Sequence, residues 1–135
     1  MNRMIFVNLP VQDLPASIAF YSALGFTNNA HFSDETAACM VWSNEIHVML
    51  LTHDKWRQFT KKPIAPGSTS EVMLALALDS IDAVNNMNTA AATSGGTADV
   101  NPKQELGFMY SCSFADPDGH IWEPFWMDPA AIPQS

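Results

Sequence analysis

One feature of this sequence restricts its fold more than any other: the same order of elements occurs twice along 135 residues. Each time, a short apolar run leads into a capped helix, a glycine stop and three further apolar runs. The first copy opens with residues 4–9, a strand closed by Pro10. Asp13 then offers an N-cap, Pro15 is tolerated in the first turn, and Leu14, Ile18, Tyr21 and Leu24 form one face of a helix. Gly25 stands where a left-handed terminal residue is wanted. Strands are expected at 27–32, 36–43 and 45–52, with Asn44 turning the last two into a hairpin. The second copy opens with a strand at 72–78, followed by Ser80 as N-cap. A stripe of Ile81, Val84, Met87 and Ala91 follows, then the stop at Gly95-Gly96 and strands at 97–100, 108–115 and 121–127. A unit of this kind covers only one sheet face with its helix, so a pair of them has a second face available for a ligand.

The length suits a single domain covering 1–135. Within it the expected divisions are a first module at 1–53, a linker at 54–70 and a second module at 71–135. The linker holds Pro63, Pro66, Gly67 and a Ser/Thr run. A short helix from Asp54 is expected to bury Trp56 and Phe59. Lys55, Arg57, Lys61 and Lys62 in the same stretch are four of only six cationic residues. They read either as a solvated linker or as a basic lid that recruits an anion. A hydrophobic fraction of 47% against 15% charged residues excludes disorder, and a net charge of -8 argues against nucleic acid and anionic membranes. No apolar stretch approaches the length of a membrane span, so the expected location is the cytoplasm. Cys39 and Cys112, in separate apolar runs, are expected to be buried free thiols.

Two stretches carry a family resemblance. Residues 13–26, Asp-Leu-Pro-Ala-Ser-Ile-Ala-Phe-Tyr-Ser-Ala-Leu-Gly-Phe, resemble the opening of vicinal oxygen chelate proteins. Residues 114–123, Phe-Ala-Asp-Pro-Asp-Gly-His-Ile-Trp-Glu, are similar to the signature near their end. That superfamily holds glyoxalase I, extradiol dioxygenases and the fosfomycin and bleomycin resistance proteins, and this chain looks closest to its glyoxalase-like branch. The resemblance implies an α+β fold of two tandem βαβββ modules, their mixed sheet curved into a U around a cup. It also implies a homodimer.

In metalloenzymes of this family, ligands come from the first and last strands of each module. Matched to this chain, those positions hold Phe6, then Met49 or Leu50, then Met73 and Glu123. Only Glu123 is a usual ligand, so no metal ligand set and no cofactor are expected. The alternative is a divalent metal, if the register brings His47 inward. What the resemblance implies otherwise is an apolar cup that binds a small molecule, with Phe6, Asn8, Leu50, Met73, Ala75, Tyr110 and Phe125 against the ligand. Trp42, like Tyr110, borders that cup and either stacks on a flat ligand or joins the core. Glu123 is the candidate catalytic residue, because a carboxylate desolvated in such a cup is suited to acid–base work. Whether the chain is an enzyme stays open: a glyoxalase-type lyase or dioxygenase-like activity is the alternative to ligand binding alone. Asp116-Pro117-Asp118-Gly119 reads as a turn that aims the final strand, and Pro124 within that strand calls for a local break in pairing. His120 is expected to face solvent, and His31, His47 and His53, which have no motif partners, read as structural or surface residues.

Overall fold

A computed structural model describes residues 3–131 of the chain. Its contacts divide the chain into a first unit ending at Thr69 and a second beginning at Ser70. In the first unit the elements run β1 (Ile5–Val11), α1 (Leu14–Ala23), β2 (Thr27–Asn29), β3 (Ala37–Val41), β4 (Ile46–Thr52) and α2 (His53–Phe59). The second unit holds β5 (Met73–Ala77), α3 (Ile81–Thr93), β6 (Thr97–Ala98), β7 (Gln104–Glu105), β8 (Met109–Ser111), β9 (Phe114–Ala115) and β10 (Ile121–Met127). The fold is α+β, with one mixed sheet in each unit.

The strand order in the first unit is β1-β4-β3-β2, with β1 parallel to β4 and the hairpins antiparallel. A parallel pair needs a crossover between its strands, and α1 lies on that crossover. The Ala16 N–H donates to Asp13 Oδ1 at 3.1 Å, which caps the helix start. Gly25 ends the turn after the helix at φ +107°, a conformation costly for any side chain. Leu14, Phe20, Tyr21 and Leu24 pack inward, with Ile18 only half-buried. They cover the face of the sheet that holds Leu9, Val11, Ala38, Met40, Val48 and Leu50. Pro10 does not close β1, which continues to Val11. As the outer strand of this sheet, β1 tolerates a residue without an N–H. The segment expected to link the modules carries α2, whose Thr52 cap accepts from the Lys55 N–H. Phe59 on that helix is exposed rather than buried, and the Lys55 ammonium sits 5.6 Å from its ring centroid.

In the second unit β10 is the central strand. It runs parallel to β5 along one edge and antiparallel to β8 and then β9 along the other. The expected single strand at 108–115 is broken at Cys112 and Ser113. The break lies opposite Pro124: the Cys112 N–H donates to the Pro124 carbonyl at 3.1 Å, but proline has no N–H to return the bond. Ser113 turns instead to the loop after β6, accepting from the Val100 and Asn101 N–H groups. α3 is capped by Ser80, which accepts from the Ala83 N–H at 3.0 Å. Its Val84, Met87 and Ala91 are buried, while Ile81 is 40% exposed.

Asp116 is itself buried, and its Oδ1 accepts from the N–H groups of Asp118 and His120 at 3.0 and 2.8 Å. With Gly119 at φ +91°, this fixes the turn that launches β10.

Asn88 clamps the loop after β6: its amide donates to Asp99 Oδ1 at 3.0 Å and its carbonyl oxygen accepts from the Asp99 N–H at 3.3 Å. That holds Asp99 at φ +53°. Asn88→Ala is expected to lower the unfolding free energy by about 1–3 kcal/mol, read as an earlier urea midpoint with an unchanged slope. Asp34, before β3, is held below its ordinary carboxylate value by the hydroxyl and N–H of Thr36, both at 2.7 Å, and by the Ala37 N–H. Because the folded value is the lower one, this turn's contribution is present above the ordinary carboxylate pKa. It is lost as the pH falls through the depressed value. Thr36→Val is expected to move the Asp34 titration upward in carboxyl-detected NMR.

Candidate functional site

Pairing register decides which side chains share a face. In the second unit Met73 lies opposite Ile121, Ala75 opposite Glu123 and Ala77 opposite Phe125. Side chains alternate along a strand, so these six share the face turned away from α3. The other face, with Leu74, Leu76, Trp122, Pro124 and Trp126, packs beneath α3. On the open face Met73 is 55% exposed, Ala75 and Ala77 are exposed, and Glu123 and Phe125 are half-buried. Among the described residues no hydrogen bond or ion pair engages the Glu123 carboxylate. The small side chains of Ala75 and Ala77 leave room beside both Glu123 and Phe125.

Tyr110 does not belong to this face, contrary to the expectation from its strand. It lies opposite Trp126 in the β8–β10 ladder, which turns it toward the helix. There it is buried with Val84 and Cys112, and its hydroxyl donates to Asn85 Oδ1 at 2.6 Å. The polar position Asn85, one helical turn after Ile81 in the α3 stripe, was the available signal for this partner. An open hollow of about 260 Å³ at the start of α3 is lined by Asp79, Ser80, Ile81, Asp82 and Trp126. Trp126 has the opposite parity to Glu123, so the hollow is separate from the open face.

In the first unit Phe6 lies opposite His47 and Asn8 opposite Met49, again on the face away from the helix. Phe6 is 51% exposed and Asn8 is exposed. The Phe6 and His47 rings stack, with centroids 4.4 Å apart and planes 10° from parallel. Leu50 is displaced from this set. It pairs with Leu9 and Ala38 on the helix-facing side and is fully buried. Met49 takes the open-face position, one residue away. Trp42 packs against Phe26, ring centroids 5.0 Å apart, as a core aromatic. Cys39 and Cys112 are both free and buried. Within the basic stretch, Arg57 pairs with Asp54 at 3.3 Å on the exposed surface.

His47 has a defined tautomer. Its Nε2 lies 3.0 Å from the Asn44 carbonyl oxygen, which only accepts, so Nε2 carries the proton. In the neutral ring, Nδ1 then presents its lone pair toward Cys39 Sγ, 3.8 Å away. Burial pushes the Cys39 thiol above its ordinary value. This contact was open to sequence reasoning through the hairpin. A turn centred on Asn44 sets Val41 opposite His47 and Cys39 opposite Met49.

The positions that hold a divalent metal in proteins of this resemblance do not fit one here. Phe6 supplies no donor, and Met49 and Met73 only thioethers. Among the described residues no group of three or more His, Cys, Asp or Glu side chains is placed to hold an ion.

Residues 3–43 match the family model described as bleomycin resistance protein-like N-terminal. Known structures extend the likeness to the whole chain. A hypothetical protein from S. aureus is 25% identical, with a TM-score of 0.78 over 93% of this chain and 95% of that one. A glyoxalase/bleomycin resistance protein/dioxygenase family enzyme from Burkholderia phytofirmans is 18% identical, with a TM-score of 0.74 over 90% and 96%. The fold is the one seen in these glyoxalase/bleomycin resistance protein/dioxygenase structures. A glyoxalase-related enzyme from Fulvimarina pelagi, 21% identical, gives a TM-score of 0.74 over 93% of this chain and 88% of its own. No curated protein matches the sequence. Within this fold the two motifs have visible structural work. The first builds the capped α1, and the second builds the Asp116 turn that aims Glu123. No helix among the described residues is long and apolar enough to cross a membrane.

Asp116→Ala removes the acceptor for two N–H groups, so the start of β10 loses its anchor. Faster amide exchange is expected at Ile121 to Glu123 than at the α1 amides of the same protein, measured by hydrogen–deuterium exchange.

Proposed function

We propose that this chain binds a small, largely apolar or aromatic molecule on its open sheet faces, in the way the names of the bleomycin resistance proteins suggest for them. The observation that carries the reading is the row formed by β5 and β10. An unengaged carboxylate, Glu123, sits there among Met73, Ala75, Ala77 and Phe125. A flat ring can lie over the alanines against Phe125 and Met73, burying apolar area on both partners. A donor on its rim, whether amine or hydroxyl, meets Glu123. Phe6 and Asn8 offer a similar pairing of ring and amide on the first unit's open face. Glu123 also sets the ligand class. An anion placed there faces repulsion from a carboxylate, so cationic and neutral donors are preferred. The chain acts in this reading without the family's usual divalent metal, as a cytoplasmic homodimer. Light scattering reads the last point.

A thermal-shift screen tests the proposal with neutral aromatics, aromatic amines and aromatic carboxylates. Aromatic amines are expected to raise Tm most. Glu123→Gln should weaken them about tenfold while sparing neutral rings, and Ala75→Leu should abolish both by filling the face. A panel without any stabilising compound defeats the reading.

One observation favours a second reading. Glu123, on the last strand, is the one usual ligand among the four family positions. If the chain is a metal-dependent glyoxalase-type lyase or dioxygenase-like enzyme, protein purified without chelator contains stoichiometric Zn, Ni, Mn or Fe. That metal then disappears in Glu123→Gln.

A further inference from the structure

We propose that Cys39, His47 and Met49 form a binding site for a soft monovalent cation of the Cu(I) class on the face of the first unit's sheet turned away from α1. The three residues come from one hairpin. Cys39 and Met49 are direct cross-strand partners, and His47 is two residues before Met49 on the same face. Directly paired positions place their Cβ atoms about 4.5–5.5 Å apart, within reach of a shared ion for a thiol and a flexible thioether.

The imidazole is already arranged as a ligand. Metal-bound histidines hold their second ring nitrogen on a carboxylate or backbone carbonyl, which fixes the tautomer. His47 does this through Nε2 and the Asn44 carbonyl, leaving the Nδ1 lone pair directed at sulfur. The 3.8 Å between Nδ1 and Sγ suits one bridging ion. Metal–nitrogen and metal–sulfur bonds of about 2.0 and 2.3 Å span about 3.7 Å at a trigonal angle. Thiolate, imidazole and thioether together select Cu(I) over Mg, Ca or Mn, which want oxygen. Zn(II) finds only two of its customary four ligands here.

The surroundings favour a soft ion as well. Cys39 and His47 are nearly closed to solvent, and the Phe6 ring stacks over the imidazole. Met49 is half-buried. Loading releases the thiol proton, so binding strengthens as pH rises. The ligand face described around Glu123 plays no part in this site.

The test is anaerobic Cu(I) titration of the full chain against bicinchoninate, with Zn(II) as a parallel arm. One Cu(I) per chain is expected, retained more tightly at higher pH, with no Zn(II) held in competition. Cys39→Ser should remove the site, Met49→Leu should weaken it at least tenfold, and Cys112→Ser should leave it unchanged. X-ray absorption of the loaded unmutated protein should give two sulfurs and one imidazole nitrogen, a readout that does not depend on how any variant folds. Copper that survives Cys39→Ser, copper lost in Cys112→Ser, or a coordination shell without imidazole overturns the proposal.

Discussion

In each unit the first strand lies parallel to the last, and nearly everything else depends on that pairing. β1 against β4 and β5 against β10 cannot be joined by a tight turn, because both strands of a parallel pair run the same way. A helix must cross over between them, and it covers one face of the sheet as it does so. The opposite face is not covered by that helix. The chance to bind something on an open sheet is therefore a consequence of strand direction, independent of any particular side chain.

Once the pairing is set, alternation divides every strand into two populations. On β10, Trp122 and Pro124 are enclosed beneath α3, whereas Glu123 and Phe125 point the other way. A carboxylate at 122 would need a partner inside an apolar core, at a cost of several kcal/mol. At 123 it keeps partial contact with water and stays available. The Asp116 turn determines this parity, because it sets the point at which β10 starts. Pro124 shows the same economy. A missing N–H inside a central strand breaks the neighbouring strand between β8 and β9, and Ser113 redirects its hydrogen bonds to the loop after β6.

The repeated order of elements, both N-caps, both glycine stops and the Asp116 turn were legible because each depends on residues a few positions apart. The open-face parity of Phe6, Met73, Ala75 and Glu123 was legible too, since alternation runs within one strand. Errors arose where one strand had to be registered against another. Leu50 and Met49 differ by one residue, and in a sheet one residue exchanges core for open face. Tyr110 was misplaced for the same reason, its direction being set by its partner Trp126 rather than by its own run. Phe59 was assigned to a buried side, but nothing in its own sequence says what its helix packs against.

The sequence by itself determined the doubled order of elements and its capped helices. These rest on local hydrogen bonds, backbone freedom at glycine and residue identity, all of which short stretches of chain contain. Tertiary structure alone decided that Tyr110 serves the core and that Met49, not Leu50, reaches the open face. It alone joined Cys39 to His47 with a tautomer chosen by the Asn44 carbonyl. Those outcomes follow from cross-strand register and ring orientation, which only the assembled sheet specifies.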